Sequence, residues 1–187
     1  MPHNFGPASS EEAIVYGAGR PGHWSPILGA DGLPGYSVAD VDRWIQFMQE
    51  QGIRRVCCLL GDELDAYETP LLDRYAEAFG RERVCHAPIE DFSFCPRGTL
   101  QQMILPFLFQ SLSVREPVVV HCSAGCGRTG HVLAAWLVAG RGFGFEEAVA
   151  AVLAVPRVER NPLEAGSQQE LNEVLAWAAE TGAAHHG

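Results

Sequence analysis

One stretch constrains this chain more than any other: Val118-Val-Val-His-Cys-Ser-Ala-Gly-Cys-Gly-Arg-Thr-Gly130. A β-branched run ends in His121 and Cys122, five small residues follow, and Arg128 and Thr129 then lead into residues that are apolar on every side. The pattern predicts a buried strand, a tight loop and a helix enclosed at the centre of the domain. Such a loop aims several backbone N–H groups at one point, and an anion belongs there.

The flanking sequence predicts an α/β fold. Ser37, with Asp40 three residues on, opens a helix to about Gln51, and Gly52 ends it. Ile53 to Leu60 reads as a buried strand. Thr69-Pro70 reads as the N-cap and first residue of a helix ending at Phe79. Arg83 to Ile89 is the next strand and runs into the loop Glu90 to Pro96. Leu100, Met103, Ile104, Phe107 and Leu108 mark a helix, Glu146 to Leu153 another, and a capping box at Ser167 and Glu170 begins a last one to about Glu180. Strands alternating with helices imply a largely parallel central sheet flanked by helices. Ligands in such sheets sit beyond the carboxyl ends of the strands, where both the Asp91 loop and the Cys122 loop fall. The N-terminal residues 1–36 are rich in Gly and Pro, with a strand expected at Ile14 to Tyr16 and turns forced between Gly17 and Gly22. The 187 residues are expected to form one domain, with this segment packed on it.

Composition narrows the function. The net charge is −10 and all thirteen basic residues are arginine, so nucleic acid and anionic membranes are repelled. Phosphate recognition must then be local, within a Debye length of about 8–10 Å. No apolar run approaches a membrane span, and the first residues carry no secretory signal, which predicts a cytoplasmic protein. Cys57, Cys58 and Cys85 fall in apolar runs and read as free thiols; no Cys or His spacing predicts a metal site. No cofactor is expected.

Three chemistries compete for the Gly-rich loop. Gly125, Gly127 and Gly130 match a dinucleotide fingerprint, but the second strand ending in an acid is missing, since residues 143–155 have helical period. A nucleotide P-loop needs lysine, and there is none. The third reading is a cysteine nucleophile in an anion cradle. A thiol beside a helix N-terminus and a cation ionises readily. Ser123, Ala124, Gly125, Cys126 and Gly127 are small enough to curl around a phosphate, and Arg128 offers two parallel donors to its oxygens.

His121-Cys-Ser-Ala-Gly-Cys-Gly-Arg-Thr-Gly130 resembles the active-site motif of the cysteine-based protein tyrosine phosphatases, most of all the small atypical dual-specificity branch. The resemblance extends over most of the chain. It implies a three-layer phosphatase fold with Asn4-Phe5 in the opening strands. The family pattern places the phosphate on residues 123–128. It makes Cys122 the nucleophile, Arg128 the phosphate clamp and Asp91 the general acid, with Glu90, Asp62 and Glu63 as rivals for that last role. Thr129 would set its hydroxyl near the sulfur or cap the helix. His121 would tie the loop down and help keep the thiol ionised, and Gln169 would position the hydrolytic water. Arg157 and Arg160 are either surface residues or contacts for a second substrate phosphate. Cys126, four residues from Cys122, is either a small loop-lining residue or the partner in an oxidative disulfide. The implied partners are phosphorylated proteins or small phosphomonoesters. The alternatives are an enzyme acting on an inositol lipid, nucleotide or RNA 5′ end, and a non-catalytic phosphate-binding module.

Overall fold

The computed structural model describes residues 2–24, 27–28 and 34–186; part of the Gly/Pro-rich segment expected to pack on the domain therefore lies outside the described residues. Five strands form one sheet in the order β1 (Gly6–Pro7), β2 (Val15–Gly19), β7 (Val118–Cys122), β5 (Arg55–Cys58), β6 (Val84–His86). Only β1 runs antiparallel, against β2; the other pairings are parallel, as expected for strands separated by helices. A two-stranded ribbon, β3 (Ile27–Leu28) with β4 (Pro34–Gly35), precedes α1 (Val38–Glu50).

Each central strand is buried on both faces. Val118, Val120 and Cys122 join one core, with α4 (Leu105–Val114), α5 (Gly127–Arg141), α6 (Phe145–Leu153) and α7 (Gln168–His186). Val119, Val56 and Cys58 face the other, with α1 and α2 (Leu71–Phe79). This is the three-layer fold. Helix α5 runs through the larger core, and Gly127 to Ala139 are all buried, so an unbroken apolar run serves it better than an amphipathic one.

Several local expectations move. The strand expected at Ile14 to Tyr16 runs instead over Val15–Gly19, because its glycines are needed beside the loop of residues 123–126 rather than in a turn. Asn4 lies not in a strand but in a 3₁₀ turn, Pro2–Asn4, with φ of 51°. Thr69 does not cap α2: its Oγ1 is buried without a hydrogen-bond partner, and Pro70 is itself the cap residue. By contrast, Ser37 caps α1 as expected, accepting from the Asp40 amide at 3.2 Å. The helix expected around Leu100 has three parts: α3 (Arg97–Thr99), a π-helical turn Leu100–Ile104, and α4. Pro106 has no N–H to return four residues, and the wider turn just before it, with the Leu105 amide reaching Leu100 O, accommodates the ring.

Helices α5 and α7 approach so closely at Gly182 that a Cβ there would lie 2.5 Å from the Ala139 carbonyl oxygen. Alanine at 182 would gain up to about 1 kcal/mol of helix propensity. Overpacking against backbone costs about 1–3 kcal/mol, so the clash wins. Gly182→Ala is therefore expected to lower the thermal midpoint by a few degrees; an increase would mean that propensity governs this crossing.

Candidate active site

The loop between β7 and α5 is shaped from outside through its carbonyls. Ser123 O accepts from the Arg20 amide at 2.9 Å, and Ala124 O from Asn4 Nδ2 at 3.1 Å. Gly125 O accepts from Arg160 Nη1 at 2.6 Å, and Cys126 O from the amides of Gly130 and Asn161. With four successive carbonyls turned outward and tied down, the amides of residues 123–126 are left without an acceptor among the described residues. That is the geometry of an anion nest at a helix N-terminus. Strand β2 gives the loop its room. Gly125 has φ of +76°, and a Cβ on it would fall 2.4 Å from the Ala18 backbone; one on Gly19 would fall 3.0 Å from Ala124 O. A Cβ on Gly17 would strike Thr129, Leu133 and Arg160.

Cys122, at the end of β7, is 3% exposed. Arg128, in the first turn of α5, is buried, and its guanidinium gathers partners from two other strand ends. Nη1 donates to Ile89 O at 3.0 Å, and Nη2 donates to Glu63 Oε1 at 2.6 Å and lies 3.0 Å from Asp91 Oδ1. Burial alone would raise the Glu63 carboxyl, but its hydrogen bond to Arg128, the Gly61 amide and the charge of Arg128 together hold it below the usual range. The half-exposed Asp91 carboxylate therefore stands at the mouth, touching the cation that would grip a phosphate.

Two buried histidines brace this arrangement. His121 stacks edge-on against Trp44 and Tyr75, with Nε2 3.2 Å from the Tyr75 hydroxyl and Nδ1 3.4 Å from Cys122 O. These partners fit the tautomer that donates from Nδ1 and accepts at Nε2. His131, one turn into α5, accepts at Nε2 from the Cys95 amide at 3.2 Å, tying the loop that carries Asp91 to α5. Burial pushes both histidines down to about 3.

A cysteine, an arginine six residues on in an anion nest, and a carboxylate on that arginine from a separate strand end are the parts of a covalent phosphatase site. A family model described as "Polymorphic toxin system, DSP-PTPase phosphatase" matches residues 30–141. The chain belongs to that family. It is a phosphatase of the cysteine-dependent family. Tk-PTP in its active form is similar in structure at 23% identity, with a TM-score of 0.66 over 96% of this chain and 99% of that one. PTPMT1 in complex with PI(5)P is similar at 14% identity and TM-score 0.66, over 98% and 99%. TpbA of P. aeruginosa is similar at 15% and 0.53, over 93% and 87%. No curated protein matches the chain.

The structure brings Cys122, residues 123–128 and Asp91 together, and it places four further residues as follows. His121 is uncharged near neutral pH, so it ties the loop down by hydrogen bonds but lends the thiol no positive charge. Thr129 Oγ1 is buried and makes no hydrogen bond, to the sulfur or as a cap, and its methyl packs on Gly17. Gln169 stands exposed on the first turn of α7 with no bond to the loop. Arg160 is neither a surface residue nor open to a second phosphate: it is buried, with Nη1 on Gly125 O and Glu159 O and Nη2 on Asn4 O. Cys126 is half-buried, and burial, with Glu164 and Cys122 nearby, raises its thiol, keeping it protonated. All six cysteines are free, with Cys85 half-buried rather than enclosed.

Sequence reasoning missed the positioning roles of Glu63, Asn4, Arg160 and His131. Glu63, weighed only as a rival acid, instead holds Arg128. Its signal was its place just past the carboxyl end of a parallel strand, where Gly61 lets the chain turn back. No group of three or more His, Cys, Asp or Glu among the described residues is placed to hold a metal.

Glu63→Gln keeps the shape but removes the charge from Arg128; kcat/KM for p-nitrophenyl phosphate is expected to fall about tenfold or more. An unchanged value would mean that Ile89 O and Asp91 position Arg128 unaided. The histidines predict the acid limit of the fold. Their folded pKa of about 3 lies below the unfolded value of 6.5, so the unfolded chain binds more protons between these limits. Stability is therefore full above about pH 6.5 and is lost as pH falls, by about 2 kcal/mol per histidine at pH 5. The thermal midpoint should drop between pH 7 and 5, and His131→Gln should make that drop shallower; an identical slope would remove His131 from the account.

Proposed function

We propose that this protein hydrolyses phosphate monoesters of phosphoproteins, phosphotyrosine foremost and phosphoserine or phosphothreonine as shorter relatives, through a phosphocysteine intermediate. The observation that carries the reading is the meeting of Arg128 and Asp91 at 3.0 Å beside the loop that begins at Cys122. The Cys122 thiolate attacks phosphorus while the loop amides and Arg128 hold the equatorial oxygens. The P–O bond to the leaving group breaks, and its oxygen takes the proton of Asp91. Water then attacks the phosphocysteine, Asp91 takes its proton, the P–S bond breaks, and phosphate leaves with the thiolate restored. Substrate phosphate and Asp91 meet the same guanidinium, so substrate entry frees Asp91 to turn toward the leaving oxygen, its carboxyl taking up from water the proton it then donates. The family description supports a role for this activity within a polymorphic toxin system. A free-thiol nucleophile fits a reducing compartment, which favours the cytoplasm.

A phospholipid substrate is the second reading, prompted by PTPMT1, which was solved with PI(5)P. The loops after β5 and β6 carry Asp62, Glu63, Asp65, Glu90 and Asp91, and the loop carbonyls and Asn4 consume Arg160, so little positive charge remains for a polyanionic headgroup. That balance favours protein substrates.

Cys122→Ser should reduce hydrolysis of a phosphotyrosine peptide to background, with no dependence on added divalent metal in the parent. Asp91→Asn should cost about 10²–10³ in kcat on that peptide and far less on an activated aryl phosphate. Equal losses on both substrates would assign the proton to another group, and activity surviving in the serine variant would remove the covalent mechanism.

A further inference from the structure

Charge is unevenly distributed along the strands β5, β6 and β7. The segments leading into the parallel strands β5, β6 and β7 hold Arg54, Arg55, Arg81, Arg83 and Arg115, five of the thirteen arginines. Their acidic company is Glu82 and Glu116, whereas the loops leaving β5 and β6 are acidic. In a chain of net charge −10, five of the thirteen arginines thus lie at the end remote from the active site.

A groove of about 510 Å³ opens at that remote end, lined by Arg54, Arg83, Arg115 and Glu116, with Phe79 and Pro117 among its apolar walls. The one carboxylate in it is already saturated. Glu116 accepts from Arg83 Nε and Nη2 at 3.1 and 2.8 Å and lies 3.5 Å from buried Arg55. Arg54 and Arg115 are exposed, and neither guanidinium has a partner among the described residues. Their backbones are fixed: the amides of Arg54 and Arg55 both reach Pro117 O, and Arg115 closes α4. Arg115 does so at φ of 55°, a left-handed position where glycine is favoured and an arginine costs conformational energy.

We propose that this groove binds an acidic peptide segment of a partner protein, its carboxylates taken by the forked donors of Arg54 and Arg115. Guanidinium and carboxylate match in planar, bidentate geometry. A short acidic segment fits because the chain as a whole carries a net charge of −10: a long polyanion such as RNA, or an anionic membrane, would meet net repulsion beyond the groove's rim. The partner would sit opposite the catalytic loop and leave it open.

The test is fluorescence anisotropy of labelled hexaglutamate against the intact protein, with hexaglutamine as the neutral control. Binding is expected for hexaglutamate alone and should weaken with added salt. Arg54→Gln with Arg115→Gln should weaken it by about tenfold, and Arg43→Gln with Arg97→Gln should not. Turnover of p-nitrophenyl phosphate and the thermal midpoint should be the same in all three proteins. Absence of binding, or equal loss in both double variants, would overturn the proposal. So would a ten-base single-stranded RNA that binds more tightly at the same arginines, which would make the ligand a nucleic acid. Sedimentation showing a dimer dissolved by Arg54→Gln with Arg115→Gln would likewise overturn it, by making the occupant a second copy of this chain.

Discussion

The carbonyl of Gly125 is where the fold and the site meet. Arg160 donates to it at 2.6 Å, Asn4 approaches it at 3.4 Å, and the glycine behind it leans on the Ala18 backbone. A loop whose amides must converge on an anion has a problem in the anion's absence: the same backbone carries carbonyls that would be attracted to those amides. Tying each carbonyl outward removes that alternative and prepays the ordering of the nest. Arg160 serves this task at the cost of burying a guanidinium, which pulls it down to about 10. It remains charged at neutral pH, with three carbonyl oxygens around it.

Arg128 poses the complementary problem. A buried guanidinium without an anion would be costly, and the protein supplies two carboxylates and a carbonyl. The two carboxylates differ in exposure. Glu63 is the more enclosed, at 25%, and is hydrogen-bonded at 2.6 Å, so it can keep its grip while a phosphate binds. Asp91 is 52% exposed and sits on the acid-bearing loop, so it can be exchanged. The hydrogen bond from the Cys95 amide to His131 anchors that loop's far side to α5.

Much of this could be read from residue order. The strand, small-residue loop and enclosed helix around Cys122 follow from period and size alone, and the Ser37 cap follows from local hydrogen-bonding capacity. The pairing of Asp91 with the loop was legible because parallel strands present their carboxyl ends on one side. What escaped was what depends on distant partners. Asn4 and Arg160 look like any polar residues beside glycines or prolines until the fold places them on the loop carbonyls. Thr69 and Thr129 carry a capping-competent side chain but do not cap, because tertiary packing decides which hydroxyl faces an amide. Gly17 and Gly19 read as turn formers, yet they lie within β2 because the loop and α5 need the space their side chains would fill.

The clamp on the loop carbonyls also bears on when the site comes into being. Asn4 bonds to Ala124 and to Glu159, residues 120 and 155 positions away. Contacts so remote in sequence close late in folding, after the entropy of the intervening chain has been overcome. Cys122 itself lies on a strand paired with β2, where it stands opposite Gly19, so its placement and the shape of the loop rest on contacts of the same long range. The N-terminal segment thus completes both the sheet beside the loop and the clamp on its carbonyls.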